Sequence, residues 1–172
     1  MGLIIIGAFF TLLVVWSISV RQKLIGMDEN INNAMGQIGV QLSARFDAVS
    51  ALVDLVKGYA VHEAQPLLET LKAQRIVITA ISTPRDVKNQ EEVISEVLEK
   101  VALVAEQHPE IKADENYTKC LNAVDSYEKM VCTSCLIYND SVNKFNRELK
   151  IFPASVIGGI FGLWQRDYLE TV

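Results

Sequence analysis

The stretch Gly2 to Val20, GLIIIGAFFTLLVVWSISV, contains no charged residue, and that gap constrains the chain more than any motif in it. A core helix of a water-soluble domain keeps a polar face, and this run has none. No basic residues precede it and no small-residue cleavage signal closes it, so it lacks the signature of a removed signal peptide. Ile6 stands where N-myristoylation of Gly2 needs Ser or Thr. The chain also lacks a basic excess: 16 Lys and Arg against 21 Asp and Glu leave a net charge of −5, which argues against a nucleic-acid partner. Proline is scarce, at four residues, and no segment is repetitive or rich in Gly and Ser. Half of the residues are apolar and 22% charged, as in folded domains. With 172 residues there is room for one anchor and one domain.

As a helix, the 19 uncharged residues extend roughly 28 Å, close to the hydrocarbon thickness of a bilayer. Thr11, Ser17 and Ser19 are tolerable there because helical hydroxyls bond back to a preceding carbonyl. Trp16 lies near the end of the run, where an indole favours the interface, and Arg21 and Lys23 stop it. The reading is a retained anchor over 1–22, with Gly2, Trp16 and Val20 in the span and Arg21 and Lys23 flanking it. Those two cations come after the span, so the positive-inside rule puts the remaining chain in the cytoplasm, as a single-pass protein.

Beyond the anchor, apolar residues recur at steps of three and four. Ile31, Met35, Ile38, Leu42, Val49, Leu52, Val56 and Tyr59 form one stripe, with Arg45 in the slot between Leu42 and Val49. No proline interrupts Leu24 to Glu63, which predicts one helix of about 57 Å. A second helix is expected from Pro66, as a first-turn proline, to Ile81. Residues 82–89 read as a loop. A third helix, Glu91 to Gln107, carries Val93, Ile94, Val97, Leu98, Val101 and Val104 on one face, and Pro109 ends it. A fourth begins near Ala113 and runs to Pro153, with Tyr117, Leu121, Val124, Glu128, Val131, Cys135, Tyr138, Val142, Phe145 and Leu149 in the same rhythm. Glu128 is the one charge on that seam. Two long and two short helices predict an all-α fold, an antiparallel four-helix bundle over 24–150 behind the single N-terminal transmembrane helix.

In that topology the fourth helix returns to the membrane. Lys144, Arg147 and Lys150 lead into the uncharged run Ile151 to Trp164, within an apolar tail over 151–172. The run is too short to span and has three glycines, which argue against a stable free helix. One reading sets this tail on the membrane surface beside the anchor, through Phe152, Phe161 and Trp164. The other folds it back on the base of the bundle.

Ala34 to Glu63 contains Ile38, Val40-Gln41-Leu42, Arg45, Asp47, Leu52-Val53, Val56-Lys57-Gly58-Tyr59-Ala60 and His62-Glu63. Ala105-Glu106, Pro109-Glu110 and Lys112-Ala113 come next, then Glu128, Tyr138-Asn139-Asp140, Phe145-Asn146 and Phe152-Pro153. At this spacing the chain resembles the LemA family of bacterial membrane-anchored helical proteins, from Leu24 to the C-terminus. Gly39 stands where that family usually has Asp, Ser43 and Ala44 replace basic residues, and Ser50-Ala51 replace Pro-Asn. On the fourth helix Lys129-Met130 replace Asn-Arg, and Cys135 replaces an Arg. The resemblance implies a membrane-tethered four-helix bundle inside the cell and no settled activity. It also implies an inward Arg paired with Glu128, a role that falls to Arg45 here.

Candidate chemistry is thin. Cys132-Thr133-Ser134-Cys135 is a CxxC in mid-helix rather than at a helix start, and Cys120 lies roughly 18 Å away along the same helix, so small buried hydrophobes are the better reading. Three free thiols suit a reducing compartment. His62-Glu63 opens like HExxH, but Pro66 occupies the second His position, leaving His62 to the turn after the first helix. His108 reads as a helix-end cap. Asn139, Asp140 and Asn146 read as interhelical bonding groups or the lining of a polar groove. No phosphate loop, dinucleotide fingerprint or hydrolase elbow occurs. The expectation is a non-enzymatic scaffold or adaptor with no catalytic, cofactor-binding or metal-binding residues and no cofactor. Membrane lipid is its partner through the first helix, with protein partners unidentified and a homo-oligomer allowed. The alternative is a membrane-organising or remodelling protein whose bundle and tail engage lipid.

Overall fold

The computed structural model describes residues 1–170. Among these the chain is all-α and contains no strand: α1 (Gly2–Lys57), α2 (Val61–Ala73), α3 (Pro84–Gln107), α4 (Pro109–Ala113), α5 (Glu115–Leu149) and α6 (Ala154–Ile160). The apolar N-terminal segment and the first helix of the domain are one element. Its 56 residues reach about 84 Å, and it holds the one segment long and apolar enough to cross a membrane among the described residues. Thr11, Ser17 and Ser19 donate to the carbonyls of Gly7, Leu13 and Val15, so none of these hydroxyls is left unbonded on an apolar surface.

α1 is the element against which the others pack. Ile31, Met35, Ile38, Leu42, Val49, Leu52 and Val56 are all buried, as the stripe predicts. Tyr59 is a correction: the helix ends at Lys57 rather than Glu63, the ring is exposed, and its hydroxyl donates to Asp114 at 2.8 Å. α5 runs antiparallel to α1. Lys23–Glu148 at the base (2.7 Å), Arg45–Glu128 midway (2.9 Å) and Tyr59–Asp114 at the far end mark its register. Tyr117, Val124, Val131, Cys135, Tyr138, Val142 and Phe145 fill the facing seam.

The short connections depart from expectation. α2 begins at Val61, so Pro66 lies inside the helix rather than in its first turn, and the helix stops at Ala73, not Ile81. The chain after it is extended, because Ile76-Val77-Ile78-Thr79 is a β-branched run whose side chains crowd a helical turn. Ile76 and Ile78 turn into the core while Val77 faces out, and the Ile76 amide donates to the buried Gln90 side chain. This segment passes so close to α1 that any Cβ at residue 39 would collide with the Ile78 carbonyl. Only glycine fits there, and the departure from the usual Asp has a steric cause.

Residues 84–89, read as loop, are helical. Thr83 caps α3 by accepting from the Asp86 amide, the Asp86 carboxylate accepts from the Thr83 amide, and Pro84 sits at the first position. A further short helix, α4, occupies the corner before α5, and the Asp114 side chain caps α5 through the Asn116 amide at 2.8 Å.

The tail folds back. Three buried residues of α6, Ala154, Ile157 and Gly158, sit against the base. Residues 163–170 then climb in extended form along α5. Asn146 both donates to the Arg166 carbonyl (2.8 Å) and accepts from its amide (2.9 Å). Asn139 does the same with Leu169, at 2.8 Å each way. The Tyr138 hydroxyl donates to the Asp167 carbonyl, and Arg166 grips Asp28 on α1 with two nitrogens. Leu169 is buried in the core. Thus Asn139 and Asn146 hold the tail rather than bridging helices, while Asp140 pairs with Lys144 on its own helix. Thr171 and Val172, the end of the expected tail, lie outside the described residues.

The tail clamp and the helix caps are both open to measurement. Asn146→Ala should cost about 1–3 kcal/mol, the penalty for orphaning buried partners, with faster amide exchange at Arg166 and Leu169 than at Val142; unchanged exchange at those two amides would refute the clamp. Hydrogen bonds from the Thr83 and Asn116 amides hold the carboxyls of Asp86 and Asp114 below the ordinary range. Their stabilisation is therefore present above the unfolded carboxylate pKa and lost as pH falls through the folded one. Urea titrations at about pH 5 and pH 2 should show Asp86→Asn and Asp114→Asn losing less stability on acidification than the parent.

Candidate functional site: the base and the Arg45 ion cluster

Around residue 21 the surface of α1 changes character. Phe9, Phe10, Leu12, Leu13, Val15, Trp16 and Ile18 are exposed, whereas Leu24 is fully buried. Val20 is already half-buried against the domain core, so the end of the expected span is also where the domain begins. Of Gly2 only the helical backbone is described. α6 forms the floor at this junction despite its glycines. Gly158 lets it seat tightly, since a Cβ there would come within 2.6 Å of Leu149 and 3.9 Å of Leu24.

The other face of α6 is uncovered. Phe152 and Trp164 are 75% and 74% exposed, and Val156, Ile160 and Phe161 are exposed with them. The structure brings Arg21 to Phe161 and Val20 against the domain core, with Lys23 two residues further along α1; Phe152 and Trp164 flank α6, and Trp16 is exposed on the apolar half of α1. Two cations there have defined neighbours: Arg21 stacks over the Phe161 ring, 4.7 Å from its centroid, and Lys23 pairs with Glu148. Arg147 and Lys150 are close by in sequence. Both ways of placing the tail describe part of this arrangement, since one face of α6 packs on the base and the other is open.

Midway up the domain lies a charge cluster. Arg45, 5% exposed, bonds Glu91 of α3 and reaches Glu128 of α5 at 2.9 Å. The sequence anticipates the Arg45–Glu128 pair; it hides Glu91, which reads only as a dipole-favouring acid near a helix start. The Arg45 Nε and one Glu91 oxygen have no hydrogen-bond partner. Beside them a cavity of about 150 Å³ is lined by Cys132, Cys135, Leu169 and Glu170 among others. A guanidinium between two carboxylates neutralises the acids that would hold a cation, and no group of three or more metal-ligating side chains occurs among the described residues.

The thiols divide. Cys135 is buried, and burial, followed by the charge of Glu91, pushes its pKa up to about 11, leaving an inert thiol. Cys132 is exposed, which corrects its reading as a buried hydrophobe: one residue after the buried Val131, it is turned about 100° off the packed stripe. His62 is exposed on α2, and His108 pairs through Nδ1 with Glu110 at 3.2 Å while its backbone amide closes α3.

Removing Arg45 strands a buried carboxylate, so Arg45→Met should cost about 3–5 kcal/mol in urea unfolding, and adding Glu91→Leu should recover much of it. Glu128→Gln, at an acid that is 58% exposed, should stay within about 1 kcal/mol. Equal losses for Glu128→Gln and Arg45→Met would overturn this hierarchy. In the same folded protein Cys132 should react with a thiol reagent well before Cys135.

A search of curated proteins returns no match to this chain. A model of the LemA family matches residues 34–172, which takes in α1 from Ala34 onward, all later helices and the tail that Asn139 and Asn146 clamp. With most of its length matched in this way, the chain belongs to the LemA family.

Proposed function

We propose that this chain is a single-pass, membrane-anchored scaffold that carries an antiparallel four-helix bundle on the cytoplasmic face of a bacterial membrane, without catalysis of its own. The observation that carries the reading is the unbroken α1. Its first 19 residues after Met1 have no charge, only 6% of its most apolar window is buried, and the same helix becomes the hub of a packed domain. A surface so apolar and so uncovered is costly in water and favourable in hydrocarbon. The bundle reading rests on α1 and α5 as the long columns, with α2 and α3 as short ones. Residues 74–83, which form no helix, follow the first short column, and residues 163–170 run along α5.

A scaffold needs a rigid face. Along α1 and α5 an open groove of about 420 Å³ is bordered by Asn30, Asn33, Gln37, Ile137, Ser141 and Lys144. Amide and apolar groups mixed on two well-packed helices suit protein contact better than chemistry. The exposed aromatic floor of α6 favours the second reading, in which the base also engages lipid.

Membranes from expressing cells should retain the full chain through alkaline carbonate and release it only with detergent. Cys132 should resist a membrane-impermeant maleimide in intact spheroplasts and label after permeabilisation; labelling without permeabilisation would reverse the topology. A photocrosslinker at Gln37 should trap discrete protein partners. No protein adduct there, with lipid adducts from a crosslinker at the exposed Phe152, would favour the membrane-organising reading.

A further inference from the structure

The base holds a feature that neither anchoring nor scaffolding requires. Phe161, carried past the end of α6, stands off the side of α1 and leaves a notch of about 380 Å³ between them. Phe10, Leu13, Val14, Ser17 and Ile18 line it on the helix side, and Arg21 closes one end. Its walls are apolar throughout: the one hydroxyl present, on Ser17, is already committed to the Leu13 carbonyl at 2.9 Å. Its end is cationic. Lys23, the next cation along, is occupied by Glu148 at 2.7 Å, whereas Arg21 meets the face of Phe161 and, among the described residues, no carboxylate. Stacking on the ring fixes the guanidinium plane and leaves its N–H fork for another acceptor.

An apolar slot with one cation at its end is complementary to an anionic amphiphile, and the dimensions select which. From Phe10 to Arg21 the helix rises about 16 Å, close to half of the ~30 Å hydrocarbon core. If Gly2 to Val20 crosses the bilayer, Phe10 is near its midplane and Arg21 at the level of the phosphates of one leaflet. We propose that this notch is a binding site for an anionic phospholipid of that leaflet, its phosphate on Arg21 and one acyl chain lying along Phe10, Val14 and Ile18 beneath Phe161. This rests on the membrane-spanning reading.

The full-length chain carrying Trp16→Phe, Trp164→Phe and Phe10→Trp, so that its one tryptophan lines the notch, would be reconstituted in vesicles containing phosphatidylglycerol or phosphatidylcholine brominated in mid-chain. Anionic lipid should compete for the notch about fivefold better than zwitterionic lipid, the factor expected of one cation at the surface. Arg21→Gln should bring the two lipids to parity, and Phe161→Ala should lower the preference. Lys23→Gln, at a cation already paired, should keep it within about twofold. Added inorganic phosphate should not displace the lipid. Parity in the parent would overturn the site. Equal loss with Lys23→Gln would reduce it to general attraction by a basic belt and overturn it too, as would displacement by phosphate. Absence of quenching by either lipid would instead bring down the membrane-spanning reading, and the site with it.

Discussion

Everything in this molecule leans on one helix that does not stop. Between Gly2 and Lys57 α1 contains no proline, so nothing in the backbone separates the apolar segment from the domain. What changes along it is the side-chain surface. Before Arg21 apolar groups point in every direction; from Leu24 onward they occupy one stripe. The first pattern suits hydrocarbon on all sides, the second a packed partner on one. Because a single helix carries both, any contact at the base of the domain is fixed in height and direction relative to the apolar segment. Arg21, Phe161 and α6 owe their positions to that continuity.

The domain half of α1 is buried by more than helices. α2 and α3 cover only part of it, and the remainder is closed by chain without regular structure. The non-helical segment at 74–83 passes over Gly39 at Ile78, and the tail at 163–170 is held by the side-chain amides of Asn139 and Asn146. A primary amide that donates to a carbonyl and accepts from the same residue's N–H supplies what a neighbouring strand would supply, so an extended segment can lie against a helix with its backbone groups paired. The Arg45 cluster adds directionality. Apolar seams tolerate sliding by a helical turn, but a guanidinium held by Glu91 and Glu128 accepts one register of α3 and α5 on α1.

The parts legible in the sequence are those in which a repeating pattern meets a repeating structure. The stripe from Ile31 to Val56 and the seam from Tyr117 to Phe145 are buried almost residue for residue, while the pairing of Arg45 with Glu128 is legible only through the family resemblance. Tyr59 departs from its stripe because a helix can end one turn before its pattern does. Ile76 and Ile78 mislead because apolar residues two apart, within a β-branched run, lie at the end of a helical pattern and pass for its last turn. The start of α3 is written in Thr83-Pro84-Arg85-Asp86, a capping box with proline at its first position, but Ser and Pro in the same stretch are equally the marks of a loop. Nothing local announces the tail, whose path is set by side chains of α5 some twenty to thirty residues earlier. Glu91 is hidden for the same reason: its role depends on a partner 46 positions away.

The tail also joins the two sites in space. It leaves the base as Phe161 and Trp164, binds Asp28 through Arg166, enters the core as Leu169 and reaches the Arg45 cavity, where Glu170 approaches Lys88 of α3 at 3.8 Å. One short segment therefore closes the floor beside the apolar half of α1 and walls the Arg45 cluster. An ion cluster of this kind depends on its wall, because water entering beside Arg45 would screen the attraction that offsets its desolvation. Arg166, six residues past the end of α6, is held by Asp28 and Asn146, and Leu169, three residues further on, is buried. The aromatic floor and the charged middle of the domain are thus joined by one run of backbone that no helix contains.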